Sequence, residues 1–422
     1  MNTKWYILTL LSLCLYGPSG HTAMPLEFDE LENLIKSKNK KVAATTLELK
    51  GVEKRLGYFK RSFIPTGEAW VGQEKFKTGP YETMTEPMYS LRANLNLYRG
   101  GRDALEEESR KAQKVSMEVQ AQQVLQEELY EVRSLYWNLV YLREVNSLYL
   151  STLKLNEANL QKALRRINSG LATRVDKLEF EISDTQLKQD MARIAVTIST
   201  TQRRIAALLG LEAETQFETL TAVPHEHNDT TPTQTMNVNF FRDVRLELAN
   251  MKDFEARGKI QKLWWTPKFD LYAESILSNF RERSYFTQSE KIDNAIGARL
   301  TINFDGFQEQ YDGEALIARA NASRLRAEQI KIEASAAFNT AQQELRLLHD
   351  LIHEGEKNVE KGAQYLSQTQ SEYALGVKNS PDVLSATIKQ LEFKKRFAEL
   401  RRDYAMSKAQ LQSLLASEPG GI

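Results

Sequence analysis

Tyr89-Ser90-Leu91-Arg92-Ala93-Asn94-Leu95-Asn96-Leu97-Tyr98-Arg99-Gly100-Gly101 decides how this chain is read. Tyr89, Leu91, Ala93, Leu95 and Leu97 alternate with Ser90, Arg92, Asn94 and Asn96, which gives a strand with one apolar face and one polar face. Past Gly101 the pattern changes: from Asp103 to Ile167 there is neither proline nor glycine. The same switch occurs a second time. Ile296, Ala298, Leu300, Ile302 and Phe304 alternate with Gly297, Arg299, Thr301 and Asn303, and a long helical stretch begins near Gln308.

Each run follows a weaker strand, Glu68–Phe76 or Phe269–Leu277, across a polar connection, Lys77–Glu86 or Asn279–Lys291. Two readings are open. The strands form a half-buried soluble sheet, or they span a membrane, for which about 9–11 tilted residues suffice. Four strands cannot close a barrel alone, so the membrane reading requires several copies.

Working outward, the whole chain divides into two copies of one unit. Pro65 and Pro267 stand 202 residues apart, as do Val42 and Val244; Gly101 and Gly306 stand 205 apart, and Asp176 and Asp382 206 apart. The organisation expected is a leader at 1–23, a first repeat at 24–211, a linker at 212–237, a second repeat at 238–415 and a tail at 416–422. Within the repeats, Leu31–Pro65 and Phe241–Pro267 read as helices ahead of the strands.

Long helices follow each strand pair. Leu125, Leu129, Val132, Tyr136 and Leu139 step by four and three, a heptad seam. About 65 uninterrupted residues would reach about 100 Å. A return helix is expected at Val175–Leu209. In the second copy Gln308–Leu348 and His353–Leu375 run out, and Pro381–Leu415 returns. A small-residue stripe from Ala334 through Ala337 to Ala341 suits close helix approach, either to a neighbouring subunit or within its own hairpin. The fold class is therefore mainly α with a small β part: two coiled-coil hairpins and four strands.

The 422 residues carry 56 Lys+Arg against 56 Asp+Glu, with 41% hydrophobic residues and a mean hydropathy of −0.48. That balance supplies no driving force for counterion release and excludes a nucleic-acid partner. No stretch of 18 apolar residues offers a helical membrane span. Lys4, the apolar run Ile7–Leu15 and Gly17-Pro18-Ser19-Gly20 are laid out as a secretory leader. Its removal takes away Cys14, the one cysteine, and leaves neither disulfide nor thiol chemistry.

With these features in order, the chain resembles the TolC-like outer-membrane efflux protein family over essentially its whole mature length. Leu31-x-x-Leu34-Ile35 with Asn39 is similar to the family's opening helix. Leu95–Gly101 is similar to its strand-to-helix corner, without the usual proline. Tyr136-Trp137-Asn138-Leu139 is similar to its aromatic helix motif. Ser169-Gly170-Leu171-Ala172-Thr173 with Asp176, and Tyr373-Ala374-Leu375-Gly376 with Asp382-Val383-Leu384, resemble its two hairpin tips.

The resemblance implies a homotrimer in the outer membrane of a Gram-negative bacterium. Its subunits would build one 12-stranded barrel and an α-helical tunnel through the periplasm. Partners implied are outer-membrane lipid, a periplasmic adaptor (membrane fusion protein) and an inner-membrane pump of RND, ABC or MFS type. Arg92, Asn94, Arg299 and Thr301 would line the lumen, with Leu91, Leu95, Leu300 and Ile302 toward lipid. Asp176, Tyr373, Lys378 and Asp382 would form the periplasmic gate, Lys378 linking to Asp176. Lys378 stands where arginine is usual, so it acts as a point charge without a fork. Ser385 stands where a second acid can follow, leaving a single ring of Asp382 to attract cations. Gly170, Leu171, Ala172, Thr173, Gly376 and Val377 would dock the adaptor. Gly170 and Gly376 would take positive φ.

Other chemistry is sparse. His349 and His353 stand one helical turn apart without the HExxH carboxylate, and read as a solvated pair. His225-Glu226-His227 reads as polar linker. Walker, GxGxxG and GxSxG motifs are absent, and neither metal, cofactor nor catalysis is expected. The competing reading is a periplasmic coiled-coil adaptor or scaffold whose strands form a soluble domain.

Overall fold

The computed structural model describes residues 24–78, 82–170, 172–219, 237, 239, 241–278, 291–302 and 307–415. The leader, Leu171, most of the linker, the connections at 79–81 and 279–290, residues 303–306 with Gly306, and the tail at 416–422 lie outside them. The elements among the described residues are β1 (Met24–Leu26), α1 (Leu31–Lys38), α2 (Lys40–Glu53), α3 (Tyr58–Ser62), β2 (Thr66–Thr78), β3 (Glu82–Tyr98), α4 (Arg102–Asn168), α5 (Arg174–Leu208), β4 (Phe217–Thr219), α6 (Arg242–Lys262), β5 (Lys268–Ser278), β6 (Lys291–Thr301), α7 (Phe307–Ala374) and α8 (Ser380–Leu415). Helix, two strands, a long helix and a return helix thus occur twice in one order.

The chain forms two compact units, and each draws on both sequence copies. One comprises 1–44, 123–236 and 335–422; the other comprises 45–122 and 237–334. The second holds the sheet. Its four strands run β2-β3-β5-β6, every pair antiparallel, so that β3 of the first copy pairs with β5 of the second. Period-2 alternation survives this pairing because each register matches like faces: Leu91 lies opposite Ala69 and Ser275, and Arg92 opposite Glu68 and Glu274. A register shift between Asn96 and Tyr98 ends the regular ladder just before the glycine corner. Alongside the sheet, Asp253 of α6 accepts hydrogen bonds from Ser109 (2.5 Å) and Gln113 (3.0 Å) of α4.

The other unit has its core around the aromatic motif. Leu129, Val132, Tyr136 and Leu139 of the heptad seam are buried with Leu31, Ile35, Ile205 and Phe217. Truncating such a side chain to alanine typically costs about 2–5 kcal/mol. Tyr136 donates its hydroxyl to the Leu26 carbonyl at 3.3 Å, tying the seam to β1. β1 pairs in parallel with β4, an element the sequence pattern did not announce: three residues are too few to show alternation.

Two helical expectations are corrected. Leu31–Pro65 is three helices: the run breaks at Gly57 (φ +125°) and, earlier, at Asn39. Its side-chain oxygen accepts the amides of Lys41 (2.9 Å) and Val42 (3.0 Å), a cap that starts α2 afresh. Its amide donates to Glu128 and to the Leu208 carbonyl, both at 2.8 Å, so one residue joins α2, α4 and the end of α5. Conversely, Gln308–Leu348 and His353–Leu375 are one helix, α7, since Gly355 lowers helix propensity without adding a cap or clash. Of the small-residue stripe, Ala341 packs with Phe338, Leu345 and Ile352 against Leu400, Tyr404 and Leu411 of α8, within its own hairpin.

Candidate functional site

Both hairpin tips are built on the same local device. Gly170 (φ +72°) and Gly376 (φ +82°) take the left-handed conformation that lets a long helix reverse. Three residues further on, a polar residue caps the return helix. At the first tip, the Thr173 amide and hydroxyl donate to Asp176 Oδ2 at 2.7 and 2.9 Å. At the second, the Asn379 amide donates to Asp382 Oδ2, and the Asp382 amide to Asn379 Oδ1, both at 3.2 Å. The two tip aspartates are thus the third residues of capping boxes.

Tyr373 joins the tips. It is 3% exposed, its hydroxyl lies 3.3 Å from Ser380 Oγ, and its carbonyl accepts Arg166 Nη1 at 2.6 Å. The Arg166 guanidinium also sits 4.3 Å from the centre of the Tyr373 ring. Hydrogen-bonding groups of Ser380, side chain and backbone, act in turn on Asp176. Burial works against charge at Asp176, but these donors and those of Thr173 outweigh it and hold the carboxyl below its ordinary pKa. The result is a continuous polar path from Arg166 on α4 through Tyr373 and Ser380 to Asp176 on α5.

Lys378 is half-buried and forms no ion pair with Asp176 in this chain. Val377 is 73% exposed and its neighbour Leu375 81%, while Gly170, Thr173 and Gly376 are also exposed and Ala172 is half-buried.

The sheet presents a second surface. Arg92, Asn94, Arg299 and Thr301 fall on one face, where Arg92 Nη2 meets Glu274 Oε1 at 2.6 Å. The opposite face carries Val71, Tyr89, Leu91, Leu271, Ile296 and Leu300, with exposures of 72% at Val71, 64% at Leu91 and 90% at Ile296. An apolar surface this extensive calls for a covering medium or partner. No helix among the described residues is long and apolar enough to cross a membrane, and strands 11 residues long are sufficient if tilted.

Residues 71–211 match the family described as Outer membrane efflux protein. That match covers about a third of the chain. No curated protein sequence matches it, but solved structures do in fold. The Campylobacter jejuni CmeC outer membrane channel superposes with a TM-score of 0.80 at 11% identity, covering 92% of this chain and 85% of CmeC. The outer-membrane channel OprN gives 0.78 at 16% identity, covering 92% and 90%. VceC of Vibrio cholerae gives 0.75 at 16% identity, covering 92% and 95%.

The matched family model and these solved structures are all of outer-membrane proteins, and the chain shares the fold of the structures. The four gate candidates all stand at the tips, but Asp176 and Tyr373 are brought together through Ser380, a residue the tip motifs do not include. Its signal was available: Ser380 directly follows the cap Asn379 and precedes Pro381, where a hydroxyl faces back over the turn. Arg166 gave no such signal, since its role depends on α4 and α7 meeting end to end.

His349 and His353 stack edge to face with ring centres 4.8 Å apart. Among the described residues, no group of three or more His, Cys, Asp or Glu is placed to hold a metal. His225-Glu226-His227 lies outside those residues.

Proposed function

We propose that this chain is a subunit of an outer-membrane efflux duct, that three copies of it close a 12-stranded barrel and that the paired hairpin tips gate the periplasmic end. The apolar face would meet lipid, and Arg92, Asn94, Arg299 and Thr301 would line a wet lumen. The observation that carries the barrel is the two-faced sheet itself. Its outer strands β2 and β6 each leave one long edge without a partner in the chain, and its apolar face is open. Bare edges are untenable beside hydrocarbon, and copies of the same sheet supply the missing pairing. A soluble adaptor would have no cover for Ile296 or Leu91.

At the tips, the Arg166–Tyr373–Ser380–Asp176 path holds the two hairpins of one subunit together, and opening requires that it release. Lys378, lacking an ion pair with its own Asp176, would pair with Asp176 of a neighbouring copy and so couple release around the ring. The ring of Asp382 draws cations, more weakly than a double acidic ring would. Exposed Gly170, Thr173, Gly376 and Val377, with half-buried Ala172 and with Leu171 outside the described residues, offer the adaptor a surface. The pump behind it is of the RND, ABC or MFS type.

Membrane fractionation with gel analysis tests the assembly. Recovery from outer membranes as a trimer that dissociates only on heating is the expected result. A soluble monomer would remove the barrel and the gate together.

A further inference from the structure

The polar face of the sheet contains a recess of about 320 Å³ into which three arginines converge: Arg61 at the end of α3, Arg99 just past β3, and Arg299 on β6. Thr66, Asn94 and Tyr272 form one cross-strand row of its floor, and Asp270 beside Arg299 belongs to the next. The charges are unevenly satisfied. Arg99 meets Asp103 at 3.4 Å and Glu106 at 3.6 Å. Arg61 donates one nitrogen to the Lys54 carbonyl at 3.3 Å. Neither Arg61 nor Arg299 has an ion-pair partner among the described residues. Arg299 is directly opposite Asp270 in the register, yet its guanidinium lies over the Tyr272 ring, 4.7 Å from the centre.

That placement is built into the strand. A Cβ at Gly297 would come within 2.9–3.0 Å of the Tyr272 hydroxyl and ring. Glycine at this position lets the ring lie across β6, where it carries Arg299 over the recess instead of leaving it to Asp270. One row further along, Arg92 lies between Glu68 and Glu274 and is neutralised, so the excess of donors is confined to the recess.

We propose that this recess is a binding station for small anionic solutes, taking the carboxylate, sulfate or phosphate group of a molecule moving along the duct. The proposal rests on the lumen reading above. A planar guanidinium supplies two parallel donors that match an oxyanion, and two such groups without acid partners remain available here. The volume suits a small anion or the charged end of a larger one. Repeated in three subunits, the recess forms a cationic ring that raises the local anion concentration and biases permeation toward anions.

The test uses purified full-length trimers in planar bilayers under a potassium chloride gradient. Wild type is compared with Arg61→Gln/Arg299→Gln, and inorganic pyrophosphate is added as the probe. The double variant should lower the chloride-to-potassium permeability ratio by at least about twofold. Pyrophosphate should reduce wild-type current and leave the double variant's unchanged. Arg299→Lys, which keeps the charge but loses the planar fork, should retain the permeability ratio and lose most of the pyrophosphate block. Equal ratios and equal pyrophosphate responses in all three proteins would overturn the proposal. Thr301→Cys, on the same face but outside the recess, separates the two levels. If a charged water-soluble thiol reagent lowers its conductance while the arginine variants change nothing, the anion station fails and the lumen stands. If the reagent has no effect, the lumen reading fails and the station with it.

Discussion

At the first hairpin tip Gly170 reverses the chain at φ +72° and Thr173 caps α5; at the second, Gly376 does so at φ +82° and Asn379 caps α8. The backbone solution is the same, and the aspartate of each capping box sits at the equivalent position. What surrounds the two carboxylates differs. Asp382 is bonded to its own cap, whereas the Asp176 carboxyl is also held charged by the polar groups of Ser380 from the other hairpin. The difference shows how a duplicated turn acquires two tasks. One tip keeps the bare turn, and the other becomes the acceptor of a link between hairpins.

Removing the centre of that link should have the largest effect. Tyr373→Ala deletes a buried aromatic with its contacts to Arg166 and Ser380, and should destabilise the tip by about 3–5 kcal/mol. At the first tip the corresponding position is Ile167, which is only half-buried. Ile167→Ala should cost about a third as much. Chemical denaturation, with hydrogen exchange read at the tips, compares the two.

Next in size, Asp176→Asn should lose about 1–2 kcal/mol, because it weakens both its cap and the bonds from Ser380. Asp382→Asn disturbs a cap alone and should lose about 0.5–1 kcal/mol. Equal losses would mean that Ser380 contributes nothing to the difference. Smaller still is the dependence on pH. The Asp176 carboxyl is held below its ordinary range, so its contribution is present above the unfolded value of about 4 and is lost as pH falls through the folded one. Tip protection in hydrogen exchange should therefore be flat from about pH 5 to 8 and fall only below about pH 4 in wild type. In Asp176→Asn the acid-induced loss should be smaller.

The two faces of the sheet were legible in sequence, but its strand lengths were not: β2 and β3 continue through Lys77–Thr78 and Glu82–Glu86, which the polar composition marks as connection. Alternation at Tyr89–Leu97 and Ile296–Ile302 named the two faces correctly, because a period of two carries face assignment directly. Pairing of β3 with β5 across the two copies was not written in either strand, since register depends on partners about 180 residues away. The helices were legible in extent at Arg102–Asn168, where a clean absence of proline and glycine speaks for itself. They were misread at Asn39, whose side-chain cap overrode continuing periodicity, and near Gly355, where a residue of poor propensity sits in a helix that packing sustains. At the tips, the glycines and aspartates were readable from the repeat. Ser380 carried a signal in its place between Asn379 and Pro381, but Arg166 did not, because its partner Tyr373 comes from the other hairpin and such a link exists only after the helices have packed.

Single-channel conductance in planar bilayers, measured on Asp176→Ala beside Asp382→Ala, bears most directly on the claim that the tips form a gate closed by the link through Ser380. Asp176→Ala should conduct several-fold more than wild type, while Asp382→Ala should stay close to it and lose only cation sensitivity. Wild-type conductance in Asp176→Ala, or equal increases in both variants, would contradict that claim.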